Sequence, residues 1–476
     1  SREFVDAYLR HLHHPLEEQG VDFWWIDWQS GSATNVPGLD PLWMLNHVHY
    51  VDSGRDGKRP LTFSRYAGLG SHRYPVGFSG DTIITWDSLD FQPYFTGTAA
   101  NIGYTWWSHD IGGHMFGAKD TELTVRWCQF GALSPVNRLH SSNSPFTTKE
   151  PWAFGPRAFG VISRFLRLRH RLIPTLYTAA WRAHTDAVAV VRPMYHDHPR
   201  SGEAYSVPNQ YLLGEHLIVA PITTPEEPGT KLASATAWLP EGGWFDLFTG
   251  QRYDGDNVVP LHRDLAQLPV LARSGAVLPL ADALDPVVDA PARLTLRVFP
   301  GDGVSHLIED HGEGAPAADD RNVTRFVQAL TVRDDGRADL RLVIEPTTGP
   351  DPLGEREIVL EVVGASAVEG FEGAAVVEDE LLSQALRIEL GRVDMTTGVD
   401  VVLVGLSPVR PDVVGEAFAI LDAAEIEYTV KQAAWTATQR LAGLALARGL
   451  AALPLSPVLR DALLERAAAT APWEDR

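Results

Sequence analysis

The feature that most constrains this chain is an apolar run at residues 21–26, broken only by Asp22, that ends in the carboxylate of Asp27. A run without polar–apolar alternation marks a strand buried on both faces of a parallel sheet, because crossover helices cover such a sheet on either side. The stretch before it, residues 4–19, carries Val5, Leu9, Leu12 and Leu16 at helical spacing and stops at Gly20. The same grammar repeats. Helical signals follow at 41–51, 86–100, 122–130 and, as one long amphipathic helix, 157–183, with strand signals at 61–64 and 102–108. Alternating strands and helices imply a parallel sheet. Polar residues fall just past strand ends, at Asp27 and at His109-Asp110, where a βα-barrel keeps its chemistry. A third carboxylate, Asp81, sits in a Gly-rich loop. Roughly four or five strand–helix units are readable and a closed barrel takes eight, so about half a barrel is expected. A chain that opens at Ser1 inside a helix is expected to be a fragment.

The character changes near Ala187, where short alternating runs punctuated by Gly and Pro begin, among them residues 216–220, 270–275, 293–299 and 338–345. These are all-β signals. Asp282, Asp285, Pro286 and Asp289 form a linker-like stretch that separates two such regions. Residues 412–476 turn rich in Ala and Leu, with helical spacing at 434–450 and 457–468. The expected fold class is therefore α/β. The C-terminal part of a (β/α)8 TIM barrel at 1–184 precedes a proximal β-sandwich at 185–280, a distal one at 281–411 and a helical appendage at 412–476.

Composition narrows the function. Of the 14 Trp, Trp24, Trp25, Trp28, Trp43, Trp86, Trp106 and Trp107 crowd into the first quarter of the chain. Such rings either build an aromatic core or stack on sugars. A net charge of −21 with no basic stripe argues against a nucleic-acid partner. The single Cys128 excludes an intrachain disulfide and a Cys-based metal cluster. No apolar run reaches the roughly 18 residues of a membrane span. The histidines are scattered without metal-ligand spacing, so no metal and no cofactor is expected. Nothing distinguishes a cytoplasmic from a secreted protein.

Two carboxylates carry the chemical reading. A retaining glycosidase needs one ionised carboxyl to attack the anomeric carbon and one protonated carboxyl to release the leaving group, about 5–5.5 Å apart. Asp27 lies among Trp24, Trp25, Ile26 and Trp28, a costly place for a charge unless it is paired or used. Asp81 lies in a Gly-Asp turn beside Phe78, an apolar neighbour of the kind that raises a carboxyl pKa. The alternative is that both are helix caps, since Asp81 is five positions before Trp86.

Several segments bear on that choice. Phe23-Trp-Trp-Ile-Asp-Trp28 resembles the nucleophile strand of glycoside hydrolase family 31, and Phe78-Ser-Gly-Asp-Thr82 with Trp86-Asp-Ser-Leu89 is similar to its acid/base segment. Trp107-Ser-His-Asp-Ile-Gly-Gly113, Arg126-Trp-Cys-Gln-Phe-Gly-Ala132 and Arg138-Leu-His140 resemble further family segments in the family's order. The resemblance continues through residues 213–221, 238–250 and 268–276. It implies a retaining, exo-acting α-glycoside hydrolase with Asp27 as nucleophile and Asp81 as general acid/base, acting on an oligosaccharide or glycoside. It also implies Arg65, Asp110 and His140 as hydroxyl-binding groups, and Trp25, Phe78 and Trp107 as apolar walls of one sugar pocket. Trp28-Gln-Ser-Gly31 replaces the Met-Asn-Glu of the α-glucosidase-like pattern, and 54 positions separate Asp27 from Asp81, a short interval for the family. These departures leave glucose, xylose, galactose and N-acetylgalactosamine open as the sugar. A transglycosylase on the same residues and a non-catalytic carbohydrate-binding protein are the alternatives.

Overall fold

Four short strands of the first region pair in parallel in the order β1 (Trp25–Ile26), β2 (Phe63–Arg65), β3 (Gly77–Phe78) and β4 (Trp107–Ser108). This computed structural model describes residues 1–28, 31, 33–66, 68–281, 290–312, 314–317 and 319–473. The segment predicted as a linker at 282–289, and Gln29 and Ser30 after the first strand, lie outside the described residues. Helices cover the sheet: α1 (Arg2–Tyr8) runs through a π-helical turn at Leu9–His13 into α2 (His14–Glu17). Then come α3 (Pro41–Ser53), α4 (Trp86–Ala99), α5 (Thr121–Ala132), α6 (Pro156–Arg171) and α7 (Ile173–Asp186).

Three differences from the expected elements have physical causes. The first strand was expected to be fully buried, yet Trp25 is 45% exposed, because β1 is the edge of the sheet and pairs only with β2. β3 reads as a loop in sequence because of Gly77. A Cβ there would lie 2.1 Å from the Tyr104 hydroxyl oxygen, so the glycine is what lets the strand pack. The long helix expected at 157–183 is two helices that break at Leu172, since Pro174 has no N–H to donate and its ring clashes with the preceding turn.

Beyond the helices, β5 (Val191–Pro193), β6 (Tyr211–Leu213), β7 (Leu217–Val219), β9 (Gly243–Asp246), β10 (Arg252–Asp254) and β12 (Val270–Arg273) form a six-stranded sheet, order β10-β9-β12-β7-β6-β5, that is antiparallel throughout. The ribbon of β8 (Ala233–Leu239) and β11 (Asn257–Arg263) shares its core through Trp238, Leu239 and Leu261 against Leu212, Ile218 and Leu271. Two five-stranded sheets follow and enclose a second core of Leu296, Ile358 and Leu360 against Phe326, Leu340 and Leu403. Val277–Leu280, assigned from sequence to the proximal region, instead pairs with Arg293–Val298 in this distal pair of sheets. Four helices from Val413 to Ala467 close the chain around a small core of Leu421, Ala434, Leu446 and Leu463.

Strand parity fixes which side chains meet. Along the parallel register, Ile26, Ser64, Gly77 and Trp107 are neighbours on one face, and Arg65, Phe78 and Ser108 on the other. The first face meets the helices: Asn46 of α3 donates to the Ser64 hydroxyl at 2.9 Å, and Trp107 packs on Phe95 of α4. The second face, continued by Asp27 and Asp110 past the strand ends, is left for chemistry.

Candidate active site

Asp27 follows β1 directly, and its Oδ1 accepts from Arg65 Nε at 2.6 Å and from the Trp28 backbone N–H at 2.7 Å. The same guanidinium reaches the other carboxylate: Arg65 Nη2 lies 3.5 Å from Asp81 Oδ1. One arginine at the end of β2 thus spans the two acids expected to act as a pair. Gly80 makes the approach possible, with φ +86° and a would-be Cβ only 2.5 Å from Arg65 Nη1. Neither acid caps α3 or α4. Thr85 caps α4 by accepting from Ser88 N–H at 3.2 Å, and Asp40 caps α3 by accepting from Leu42 N–H at 2.8 Å.

Asp110, past β4, is almost fully buried. Its Oδ1 accepts from Arg138 Nη2 at 2.6 Å and its Oδ2 from the Thr82 backbone N–H at 3.1 Å, which anchors the loop that carries Asp81. Burial raises the Asp110 carboxyl above the usual range, against the pull of Arg138. Arg138 also donates to Ser108 Oγ at 3.2 Å, and its guanidinium lies over the rings of Trp25, Phe63 and Phe78 at 5.1, 5.2 and 5.5 Å. His140 packs between Trp25 at 5.2 Å and His114 at 4.6 Å. Burial and the cationic Arg138 push its imidazole down to about 4, so it is neutral near pH 7 and can both donate and accept.

Asp27, Arg65, Asp81, Asp110, His140 and Trp25 therefore meet at the ends of the four strands, with Phe78 buried beneath the two guanidiniums as a floor. Trp107 does not join them as a wall. It is 3% exposed and packs among Phe95 and Tyr104 on the helix side, because strand alternation puts it opposite Phe78 and Ser108. Arg138 and His114 also stand at this site, and sequence reasoning left both without roles. Arg138 carried a signal, two positions before His140 on one extended segment. His114 carried none, since Gly112 and Gly113, at φ +87° and +77°, decide where it points.

Among the described residues, two clusters bring potential metal ligands within 4.8 Å although the histidines have no ligand spacing in sequence: Asp110-His114-His140 and His14-Glu17-Asp52. In each an arginine already occupies the cation's place, Arg138 on Asp110 and Arg55 on both Glu17 and Asp52. A further cation there would be repelled. Beside Asp27, along the free edge of β1, a cavity of about 500 Å³ is lined by Tyr8, His13, Trp24, Trp25 and His49.

The family description "Glycosyl hydrolases family 31 TIM-barrel domain" matches residues 1–179, and "Glycosyl hydrolase family 31 C-terminal domain" matches 187–278. The chain belongs to glycoside hydrolase family 31. All the converging side chains of this family 31 chain lie in the first matched segment. An alpha-xylosidase of Saccharolobus solfataricus is 28% identical over 326 residues, which cover 65% of this chain and 43% of that protein. Human neutral alpha-glucosidase C is 31% identical over 256 residues, 53% of this chain and 27% of that one. The chain thus spans less than half the length of these curated relatives. A family 31 dextranase of Flavobacterium johnsoniae, solved with glucose, superposes with a TM-score of 0.71 at 21% identity, covering 85% of this chain and 55% of that chain. The family 31 alpha-xylosidase of Xanthomonas citri gives 0.68 at 24% identity, over 84% and 45%. Both show the shared fold.

Proposed function

We propose that this chain carries the catalytic pair of a retaining α-glycoside hydrolase that removes a terminal α-linked sugar. The observation that supports it best is the single Arg65 guanidinium spanning Asp27 and Asp81. Arg65 and the Trp28 N–H both hold Asp27 by Oδ1, which aims the carboxylate and leaves Oδ2 for attack. Asp81, held only by longer contacts and about a third exposed, is open to the glycosidic oxygen of a bound substrate. In the first step an Asp27 oxygen bonds to the anomeric carbon, the glycosidic C–O bond breaks, and Asp81 gives its proton to the departing oxygen. In the second, Asp81 takes a proton from water as the water oxygen bonds to the same carbon, which releases the sugar and restores the Asp27 carboxylate. His140 and Asp110 hold ring hydroxyls, and Trp25 offers an exposed face for stacking. The names of the relatives span alpha-xylosidase and alpha-glucosidase, so the sugar class is an α-linked pyranose. The whole is read as the C-terminal part of a (β/α)8 barrel followed by two β-sandwich regions.

The test is the stereochemistry of hydrolysis of a nitrophenyl α-glycoside, followed by NMR before mutarotation. The α-anomer appearing first is expected. A β-anomer first would overturn the retaining pair.

A further inference from the structure

We propose that His114 is a specificity-determining residue that reads the polar substituent on C2 of the bound sugar; this rests on the hydrolase reading of the site. Its backbone is pinned from both sides, with its N–H donating to Thr82 O at 2.7 Å and its carbonyl accepting from Ser142 N–H at 2.8 Å. The imidazole is thereby fixed between the loop of the acid and the segment of His140. It stacks on the His140 ring at 4.6 Å and 28°, and its Nε2 stands 3.8 Å from Asp81 Oδ1, too far for a hydrogen bond. Its Nδ1 is buried without a partner. The buried His109 and His262 differ: His109 accepts from Trp127 Nε1 and contacts Ser134 Oγ, and His262 Nδ1 lies 3.0 Å from Glu465 Oε2. His114 Nδ1 is sealed from solvent, so the nitrogen that His114 presents beside Asp81 is Nε2, which has no hydrogen-bond partner among the described residues and is left for a ligand.

Geometry names the atom it meets. Asp81 acts on the oxygen attached to C1, so a group in contact with Asp81 faces one ring neighbour of C1. Of those two, the ring oxygen has no substituent. The side that His114 shares with the hydroxyl-binding His140 is the side of C2, C3 and C4. An imidazole there can donate to a C2 hydroxyl or to the carbonyl of a C2 acetamido group.

The experiment compares wild type with His114→Phe, which keeps an aromatic ring on His140, and His114→Asn, which keeps a polar group. The substrates are the nitrophenyl α-glycoside that wild type hydrolyses best and its 2-deoxy counterpart. The expected result for His114→Phe is a loss in kcat/KM at least about tenfold larger on the C2-substituted substrate than on the 2-deoxy one, with part of it recovered by His114→Asn. Equal losses on both substrates in His114→Phe would overturn the assignment. The same proteins are titrated calorimetrically with the free sugars D-glucose, D-galactose and N-acetyl-D-galactosamine and with 2-deoxy-D-glucose. Wild type inactive on every aryl α-glycoside sinks the hydrolase reading. The binding difference between C2-substituted and 2-deoxy sugars still decides the role of His114: its loss in His114→Phe supports the role, and its survival overturns it.

Discussion

Two groups of buried and half-buried charges in this molecule are built in opposite ways. Where the helical tail meets the proximal sheet, every carboxylate oxygen is engaged. Asp246 Oδ1 accepts from Phe248 and Thr249 N–H, both at 2.8 Å, and its Oδ2 from Arg263 Nη2 at 2.7 Å. Glu465 Oε1 accepts from Tyr253 Oη and Arg263 Nη1, both at 2.7 Å, and its Oε2 from His262 N–H at 2.8 Å and lies 3.0 Å from Nδ1. At the ends of the barrel strands the pattern is reversed. Asp27 uses one oxygen for both of its contacts and Asp81 has neighbours only at 3.5 and 3.8 Å, so the contrast lies in the carboxylates; unpartnered buried nitrogens occur on both sides, Arg65 Nη2 here and Arg263 Nε there. A satisfied network fixes one arrangement, whereas an unsatisfied one stores polar capacity for a ligand. Charge count alone would not have told the two apart.

The comparison breaks most decisively at Asp27. Asp27→Ala should lower turnover of an activated aryl α-glycoside by on the order of 10⁴-fold, about 5.5 kcal/mol of barrier, with the fold intact by circular dichroism. A variant that keeps about a tenth of wild-type activity, ~1.4 kcal/mol, would remove Asp27 from the chemistry.

Glu465→Ala tests the other side. It leaves Arg263 buried without one of its two carboxylates, and breaking such a pair costs about 3–5 kcal/mol. Denaturant unfolding should show the loss in stability, while kcat per folded molecule stays at the wild-type value. Loss of activity at unchanged stability would make the tail interface part of the active site.

A smaller, substrate-dependent effect is expected at Asp81. Asp81→Ala should slow substrates with poor leaving groups by about 10²–10³-fold and spare the first step with nitrophenyl substrates, which need little protonation. Equal losses on both classes, measured by burst kinetics, would move the acid elsewhere.

The mildest test is pH. Burial pushes His49 and His140 down to about 4 and His109 to about 3. Unfolded imidazoles titrate near ~6.5, so between that value and about 4 the unfolded state binds more protons and stability falls as pH is lowered. Burial alone would raise the Glu465 carboxyl, but Arg263, His262 and Arg466 hold it well below the usual carboxylate range. Its contribution is present above the unfolded pKa of ~4.3 and is lost only as pH falls through the folded value. Hydrogen exchange at pH 7 and pH 5 should therefore show protection falling first in the barrel helices and last around Glu465. The reverse order would mean that these histidines do not limit stability.

Much of this was legible in the chain itself. The apolar run into Asp27 and the helices at Pro41–Ser53, Trp86–Ala99 and Thr121–Ala132 follow from local periodicity and spacing, and the motif segments from their resemblance to the family. These are properties of residues close in sequence, so the chain displays them before it folds. Three things needed tertiary structure. Trp107 turned to the helix side because the register of β4 against β3 puts it beside Gly77, and register depends on the neighbouring strand. Asp110 became the anchor of the Asp81 loop only through Thr82, 28 positions away. The contrast between a sealed network at Glu465 and an open one around Asp81 rests on which donors arrive from distant segments, Arg263 from 202 positions away in one case and Arg65 shared by two acids in the other. Sequence specified the carboxylates and their surroundings along the chain. Folding decided which of them stay unsatisfied, because desolvation and hydrogen-bond partners are set by contacts in space.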